Sequence, residues 1–165
     1  NDRMRYVQKL VRLHLRPIAL VKEHITDSAI RRLLFEAGDD VNDLMKLCKA
    51  DITSKNHDKV KRYLANFEKV EQRMEVVEQK DRIRNFQPAV NGDEIMQWFG
   101  LKPSRLIGDI KEIIKEAILE GEIRNTRAEI VTLLERVAQK EGLEWQLTEA
   151  QKAAEIQKEP IIDQK

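Results

Sequence analysis

The chain has 165 residues, 36% of which are charged, yet its formal net charge is only +1. This length suits one domain or two small helical ones, and it can bury a core without disulfides or metals. Such balanced charge does not by itself indicate a nucleic-acid partner. No stretch approaches the ~20 apolar residues of a membrane span, and the first residues lack the apolar segment of a signal peptide. We therefore expect a cytoplasmic protein; because the chain begins with Asn1, we also expect a fragment or a processed product.

Charge is distributed unevenly along the chain. Residues 1–22 carry six basic side chains against one acidic side chain, a net of +5, whereas residues 141–165 carry three lysines against six acids, a net of −3. The asymmetry indicates either a partner surface or simply two exposed helix faces. The single cysteine, Cys48, excludes an internal disulfide and a multi-cysteine zinc site. Its position on an apolar helical stripe predicts a buried, inert thiol.

Helical spacing dominates the first half of the chain. Basic and apolar side chains alternate over residues 3–15, and Pro17 is expected to stop or offset that helix. An N-cap among residues 26–28 predicts a second helix that ends at Gly38. A third helix is expected to run to about Ser54.

The longest predicted element covers about residues 56–84, where neither glycine nor proline interrupts the chain. Its apolar residues recur in steps of three and four: Val60, Tyr63, Phe67, Val70, Met74 and Val77. This seam predicts one helix roughly 40 Å long. It would serve either a helix-mediated dimer or, as we prefer, an intramolecular helix hairpin; the oligomeric state stays open.

The second half begins near residues 85–91, where Phe86-Gln87-Pro88 breaks the helical pattern. We therefore divide the chain into residues 1–85 and 86–165. A helix-turn-helix is predicted at about residues 91–120, with Asn91 or Asp93 opening a short helix and Gly121 following a longer one. No segment shows strand alternation, so the predicted fold class is all-α, a multi-helical body and tail.

Two further helices are predicted after the helix-turn-helix. Thr126-Arg-Ala-Glu129 fits a capping box, and Gly142 is expected to end the helix that follows. Residues 146–158 predict a last, polar helix.

Catalytic motifs are mostly absent from the sequence. It contains no glycine-rich phosphate loop, no His-Glu-x-x-His and no Gly-x-Ser-x-Gly. The three histidines, His14, His24 and His57, are scattered and lack ligand spacing, so a metal site is a minor hypothesis. Asp51 is interpreted as a helix-end hydrogen-bonding group, with a lone metal ligand as the alternative.

The segment 91–111 carries more chemical information than the rest of the chain. Apolar residues of the helix after Ser104 fill one arc, and Gly108 lies on the opposite, polar side. Glycine inside a helix costs ~1 kcal/mol relative to alanine, and the close approach of another backbone could offset that cost. The helix start offers free N–H groups and a positive dipole end, which suit a phosphate. The candidate nucleic-acid-binding residues are Lys102, Ser104, Arg105, Gly108, Lys111 and Lys115.

Two simpler interpretations of this segment stay open. Gly108 could let a neighbouring helix pack closely, with the lysines merely solvated. Trp98 and Phe99 could stack on a base, but at helical spacing with Ile95 they are more typical of a core. Backbone contacts of the proposed kind would position a nucleic acid without reading its bases.

At this segment the sequence resembles the C-terminal region of bacterial tRNA nucleotidyltransferases, the CCA-adding enzymes and poly(A) polymerases that carry an HD domain. The matching residues are Gly92-Asp93, Gly100-Leu101, Pro103, Ile107-Gly108 and Glu120-Gly121. Ser104 and Arg105 depart from the gly-pro usual in the family, although Ser104 is still expected to cap the helix. The resemblance covers roughly residues 5–145.

Two segments resemble parts of the HD domain of these enzymes. Residues 10–17, with His14, resemble the helix that follows its metal motifs, and Lys49-Ala-Asp51 resembles its late ala-asp segment. The his-asp pair of that domain is missing from the chain. The resemblance therefore implies that His14 and Asp51 are remnants of an incomplete site with no complete metal-binding set.

The resemblance implies a function for the intact enzyme and a part of it for this chain. The intact enzyme would add nucleotides to tRNA from CTP and ATP with Mg²⁺, whereas this segment binds no cofactor and holds the tRNA phosphate backbone. The polymerase head, with its gly-ser motif and aspartate pair, is not in this sequence. Two alternatives are part of an HD-type phosphohydrolase and a non-catalytic helical interaction module.

Overall fold

A computed structural model describes residues 1–22, 25–52 and 55–158. All regular secondary structure in these ranges is helical, which confirms the all-α fold class. The chain divides into two compact units, and the boundary along the sequence lies between Phe86 and Gln87. In the part of the chain that the structure describes, no helix is long and apolar enough to cross a membrane.

The first unit opens with two short helices that follow each other directly. Helix α1 spans Asp2–Leu13 and helix α2 spans Leu15–Lys22. The helix is offset at Pro17, one of the two expected outcomes: α1 ends at Leu13, four residues earlier, and Pro17 lies buried in the first turn of α2. Proline is tolerated there because the first turn has no intrahelical acceptor for its missing N–H.

Helices α3 and α4 build the centre of the first unit. Helix α3 spans Asp27–Ala37 and is capped by Thr26, whose hydroxyl accepts from the Ala29 N–H at 3.2 Å. Gly38 ends it, as predicted, at a positive φ of 56°. Helix α4 follows a single 3₁₀ turn and spans Val41–Ala50. It is shorter than predicted, and Ser54 lies outside the described residues.

Helix α5 spans His57–Asp81, close to the predicted 56–84, and Asn56 caps it by accepting from the Lys59 N–H at 3.0 Å. Phe67, Val70, Met74 and Val77 of its seam are buried. Helix α5 contacts α2 and α3. The centre of the seam is therefore buried inside this unit against α2 and α3, and not in the predicted hairpin with a helix next to it in sequence.

The second unit contains the remaining four helices: α6 (Gly92–Phe99), α7 (Arg105–Glu120), α8 (Arg127–Glu141) and α9 (Glu149–Gln157). Asn91 caps α6 in a full capping box with Glu94. Gly100, Gly121 and Gly142 each end a helix at positive φ, where a residue without Cβ is least strained. These helix ends agree with the sequence prediction.

The predicted capping box at α8 forms only in part. The Thr126 hydroxyl accepts from the Glu129 N–H at 3.4 Å. The Glu129 carboxylate does not reach back to Thr126 but binds Arg124, accepting from its backbone N–H at 2.6 Å and its Nε at 2.7 Å. These two bonds lower the pKa of Glu129, the backbone bond being the larger cause.

A buried arginine connects three parts of the second unit. Arg127 is 3% exposed and lies at the start of α8. Its Nη2 lies 2.9 Å from carboxylate oxygens of both Glu94 in α6 and Glu155 in α9. It also donates to the carbonyls of Ala89 at 3.0 Å and Glu155 at 2.6 Å. Fixed guanidinium geometry allows this set of bonds, because the group carries five N–H donors in one plane.

Candidate nucleic-acid interface

Helix α7 begins without a side-chain cap. Ser104 is the N-cap residue in extended conformation, but its side chain makes no capping hydrogen bond, contrary to expectation. Its carbonyl accepts from the Ile107 N–H at 3.2 Å. Lys102, Pro103, Ser104 and Arg105 are all exposed. The start of α7 therefore presents backbone donors and the positive dipole end to solvent, a geometry that suits an anion.

Gly108 lies one turn into α7 and faces open space. A Cβ built on it would meet no atom within 4 Å. Close packing by a neighbouring helix therefore does not explain this glycine within the described part of the chain. The residue costs helix stability without a compensating contact inside its own unit. An external backbone could approach α7 most closely at this position.

Three cations surround Gly108 with weak or no internal partners. Lys102 and Lys111 are exposed and form no ion pair among the described residues. Arg105 is 95% exposed, and its Nε lies 3.9 Å from the carboxylate of Asp109. An exposed pair at this distance contributes little to stability, so the guanidinium is available to another anion.

Lys111 also contacts the start of α6. A Cβ built on Gly92 would lie 3.4 Å from its Cδ atom. The lysine stem therefore lies over Gly92, the first residue of α6. We call the set Lys102, Ser104, Arg105, Gly108 and Lys111 the basic α7 surface.

Lys115, the sixth predicted residue, differs from the other cations. Its amine lies 2.6 Å from a carboxylate oxygen of Glu112, and its side chain is only 29% exposed. Its charge is therefore locally compensated. Sequence spacing places it on the same helix face as Lys111, but it adds less positive potential than predicted.

An acidic surface bounds the basic one along α7. An open cavity of about 400 Å³ lies beside α7, and most of the residues that line it are acidic: Asp109, Glu112, Glu116, Glu120 and Glu122. Its apolar lining residues are Ile113, Ala117 and Leu133. Carboxylates repel phosphates, so this side of α7 disfavours an RNA backbone.

The aromatic residues of the second unit belong to its core. Trp98 is 1% exposed and Phe99 is 5% exposed, so neither can stack on a base. Their rings lie against Trp145, with centroids 5.9 Å and 4.4 Å away. Gly100 supports this cluster, because a Cβ on it would lie 3.2 Å from the side chain of Gln146. The cluster fixes the turn between α6 and α7.

His14 and Asp51, the proposed HD-domain remnants, both lie in the first unit. The His14 ring donates from Nδ1 to the Val11 carbonyl oxygen at 2.5 Å. Asp51 is exposed at the C-cap of α4, where its backbone N–H donates to Leu47. Across residues 1–22, 25–52 and 55–158, no group of three or more His, Cys, Asp or Glu side chains is placed to hold a metal ion. His24 lies outside these ranges.

Cys48 belongs to α4 and is buried against the junction of α1 and α2. Its Sγ donates to the His14 carbonyl at 3.0 Å. Burial, reinforced by the negative charge of Asp51, raises the pKa of the thiol to about 11. A thiol with so high a pKa is a poor nucleophile at neutral pH, in agreement with the predicted inert role.

Arg127 was not among the predicted site residues, although it organises the unit that carries the basic α7 surface. Arg127 is the first residue of α8, and from the sequence alone an arginine at a helix start is expected to be exposed. Only the tertiary arrangement of α6 and α9 around it produces its burial. No local sequence pattern distinguishes it from the exposed Arg124 nearby.

These features define a class of protein: an all-α chain of two helical units, with a basic, uncapped helix start in the second. The chain matches the family model described as tRNA nucleotidyltransferase domain 2 over residues 1–134. Because this match covers most of its length, the chain belongs to that family, which confirms the resemblance. Neither a search of curated proteins nor a search of solved structures returned a match.

Proposed function

We propose that this chain is a tRNA-binding part of a tRNA nucleotidyltransferase and that the basic α7 surface holds the tRNA phosphate backbone. Membership of the family supports tRNA as the ligand. One structural observation carries the choice of surface: Gly108 faces open space on an exposed, cationic helix face. No contact within the described residues gives a reason for glycine there.

The chemistry of the surface fits a phosphate. Backbone N–H groups at the start of α7 donate to anionic oxygens, and Lys102, Arg105 and Lys111 supply charge without strong internal partners. Such contacts hold a backbone in register and do not select sequence. This suits an enzyme part that must accept many different tRNAs.

In this proposal, CTP, ATP and Mg²⁺ belong to a nucleotide-adding domain and not to these two units. The described residues offer no cluster suited to a metal ion. Whether the intact enzyme completes CCA or makes poly(A) would be decided by that domain. The contribution of this chain is to position the acceptor RNA.

The test is a tRNA titration of the full chain followed by fluorescence anisotropy. The charge-removing variant combines Lys102→Gln, Arg105→Gln and Lys111→Gln. The matched control combines Lys61→Gln, Arg62→Gln and Lys69→Gln, which removes two lysines and one arginine from exposed positions of α5. Affinity should fall steeply between about 50 and 200 mM salt, with a slope that reports the number of phosphate contacts.

The two variants should then differ clearly. The α7 variant should lower the salt slope by about three and weaken binding at least about tenfold, whereas the α5 variant should bind like the unmodified chain. Absence of tRNA binding at low salt would contradict the proposal. Equal losses for both variants would show only unspecific attraction to net charge.

A further inference from the structure

The first unit carries an apolar stripe on its outside that its own fold does not cover. Along α1 and the first residue of α2, four aliphatic side chains follow one another in steps of three, four and four. They are Met4, Val7, Val11 and Leu15, exposed by 59%, 55%, 59% and 62%. The αR conformation of His14 continues the helical register from α1 into α2. We call these four residues the outer α1 stripe.

Packing of the first unit does not require this stripe. Helix α1 already faces inward through Leu13, which is 1% exposed. On the same side, Lys9 binds Asp40 at 2.5 Å and the Tyr6 hydroxyl donates to Asp43 at 3.0 Å. Helix α1 thus faces its own unit through Leu13, Lys9 and Tyr6, and its outer apolar stripe has no partner in the described residues. Single exposed aliphatic residues are ordinary, but four in one row mark an interaction surface.

The charges beside the stripe indicate what kind of partner fits. At 100° per residue, Arg5 and Arg12 lie along one edge of the stripe and Arg3 lies near the other. None of these three arginines forms an ion pair among the described residues. The nearby cations that are paired, Lys9 and Arg16, bind Asp40 and Glu36 of the same unit. The unpaired positive charge is therefore concentrated on the outward side of α1.

Two other occupants fit these observations less well. A second copy of this chain, paired stripe to stripe, would bring the arginines of both copies together and cost electrostatic energy. A membrane-binding helix has a broad apolar face that commonly includes Trp or Phe. The outer α1 stripe contains only aliphatic residues and spans roughly 80° of the helix circumference. Such a narrow row is the width of a helix–helix seam.

We propose that the outer α1 stripe binds an acidic amphipathic helix of a partner protein. The apolar row of the partner would pack against Val7 and Val11, and its flanking Asp or Glu residues would pair with Arg5 and Arg12. This combination of an apolar seam with complementary flanking charges is how helices select partners. The interaction involves the first unit and is independent of the tRNA-binding role of α7.

The test uses the full chain and a synthetic, labelled four-turn peptide. The peptide carries leucine in steps of three, four and four, and glutamate on both flanks. Two control peptides replace the glutamates with lysine or scramble the leucine positions. The stripe variant is Val7→Gln with Val11→Gln, and the charge variant is Arg5→Gln with Arg12→Gln. Leu64→Gln with Val76→Gln serves as the matched control, since both residues are exposed aliphatic residues of α5.

The glutamate peptide should bind saturably, and neither control peptide should. The stripe variant should weaken binding about tenfold or more, the charge variant should also flatten its salt dependence, and the α5 variant should bind normally. Circular dichroism checks that every variant is folded. The proposal fails if the glutamate peptide does not saturate or if the stripe variant binds it equally.

Two further measurements test the competing occupants. Sedimentation that shows a dimer abolished by the stripe variant would assign the surface to a second copy and overturn the proposal. Cosedimentation of the chain with phosphatidylserine-containing vesicles, lost in the stripe variant, would assign it to a membrane and also overturn it. Under the proposal the chain neither dimerises through the stripe nor binds the vesicles.

Discussion

Glu112 and Lys115 form an ion pair one turn apart on α7, with 2.6 Å between carboxylate oxygen and amine. Lys111, which precedes Glu112, has no such partner among the described residues. Two lysines four residues apart on one helix therefore differ in the charge they offer to a ligand. The difference allows the proposed tRNA contact to be tested one residue at a time.

Replacement of Lys111 should affect tRNA binding more than replacement of Lys115. We expect Lys111→Gln to weaken binding and to lower the salt slope by about one. Lys115→Gln should have a smaller effect, because this amine is already bound to Glu112 and is less exposed, so it makes no direct phosphate contact. Anisotropy titrations of both variants at several salt concentrations measure this. Equal effects would show that the Glu112–Lys115 pair opens when RNA binds.

Gly108→Ala should raise the stability of the chain and lower its affinity for tRNA. We expect the free energy of unfolding to rise by about 1 kcal/mol, because alanine is the better helix former and its Cβ would meet nothing within 4 Å. We also expect tRNA affinity to fall, because the methyl group would hold the RNA backbone away from α7. Urea denaturation and anisotropy titration give the two quantities.

A control for Gly108→Ala is Gln139→Ala, an exposed position on α8 of the same unit. It should leave tRNA affinity unchanged. A Gly108→Ala variant that is more stable and binds tRNA normally would move the RNA contact away from this glycine. A loss of stability would mean instead that the backbone at residue 108 needs glycine for folding.

Sequence patterns predicted the helices well wherever local chemistry decides their ends. Asn56, Asn91 and Thr126 cap helices as their side chains favour, and Gly38 and Gly121 end them at positive φ. These ends depend on backbone groups a few residues away, so the information is local. The seam of α5 packs within its own unit, although against α2 and α3 and not in the predicted hairpin.

Predictions from the sequence were wrong or missing where a feature depends on residues distant in the chain, or where two backbone N–H groups compete for one carboxylate. The Glu129 carboxylate accepts from the backbone N–H of Arg124 and not from that of Thr126. The side chain of Ser104 makes no capping hydrogen bond, although serine is a favoured N-cap residue. The burial of Arg127 requires Glu155, 28 residues away. The exposure of the outer α1 stripe could not be predicted either, because periodicity does not tell which apolar row faces the core.

Removal of Arg127 should strongly destabilise the second unit. Arg127→Gln removes the buried cation that Glu94 and Glu155 share, and leaves these two half-buried carboxylates close together without it. We expect a loss of about 3–5 kcal/mol, the usual effect of breaking a buried ion pair from one side. Arg127→Lys should restore only part of it, because an ammonium cannot replace the planar set of donors.

Tryptophan fluorescence measures this effect selectively. Both tryptophans, Trp98 and Trp145, lie in the second unit, so their emission follows its unfolding in urea, while circular dichroism follows both units. Arg124→Gln is the control, because this arginine is 82% exposed in its pair with Glu129. A loss no larger than that of Arg124→Gln would contradict the structural role of Arg127.

The thiol of Cys48 should react slowly in the folded chain. Its pKa is raised from an ordinary 9.0 to about 11, so at pH 8 the thiolate fraction is about a hundredfold lower than in the unfolded chain. Labelling with a disulfide reagent should be slow in buffer and fast in guanidinium chloride. The contribution of Cys48 to stability is fully present below pH 9 and is lost as the pH rises to about 11, because only the folded state then retains the proton.

A surface thiol provides the reference for this measurement. Cys48→Ala with Gln139→Cys places one cysteine at an exposed position of α8, and its labelling rate should change little on unfolding. In the unmodified chain, the native rate should keep rising with pH beyond the range in which the reference thiol levels off. Rapid labelling of native Cys48 at neutral pH would show instead that the junction of α1 and α2 over α4 opens readily, since the thiol is reached only when its contact with the His14 carbonyl is broken.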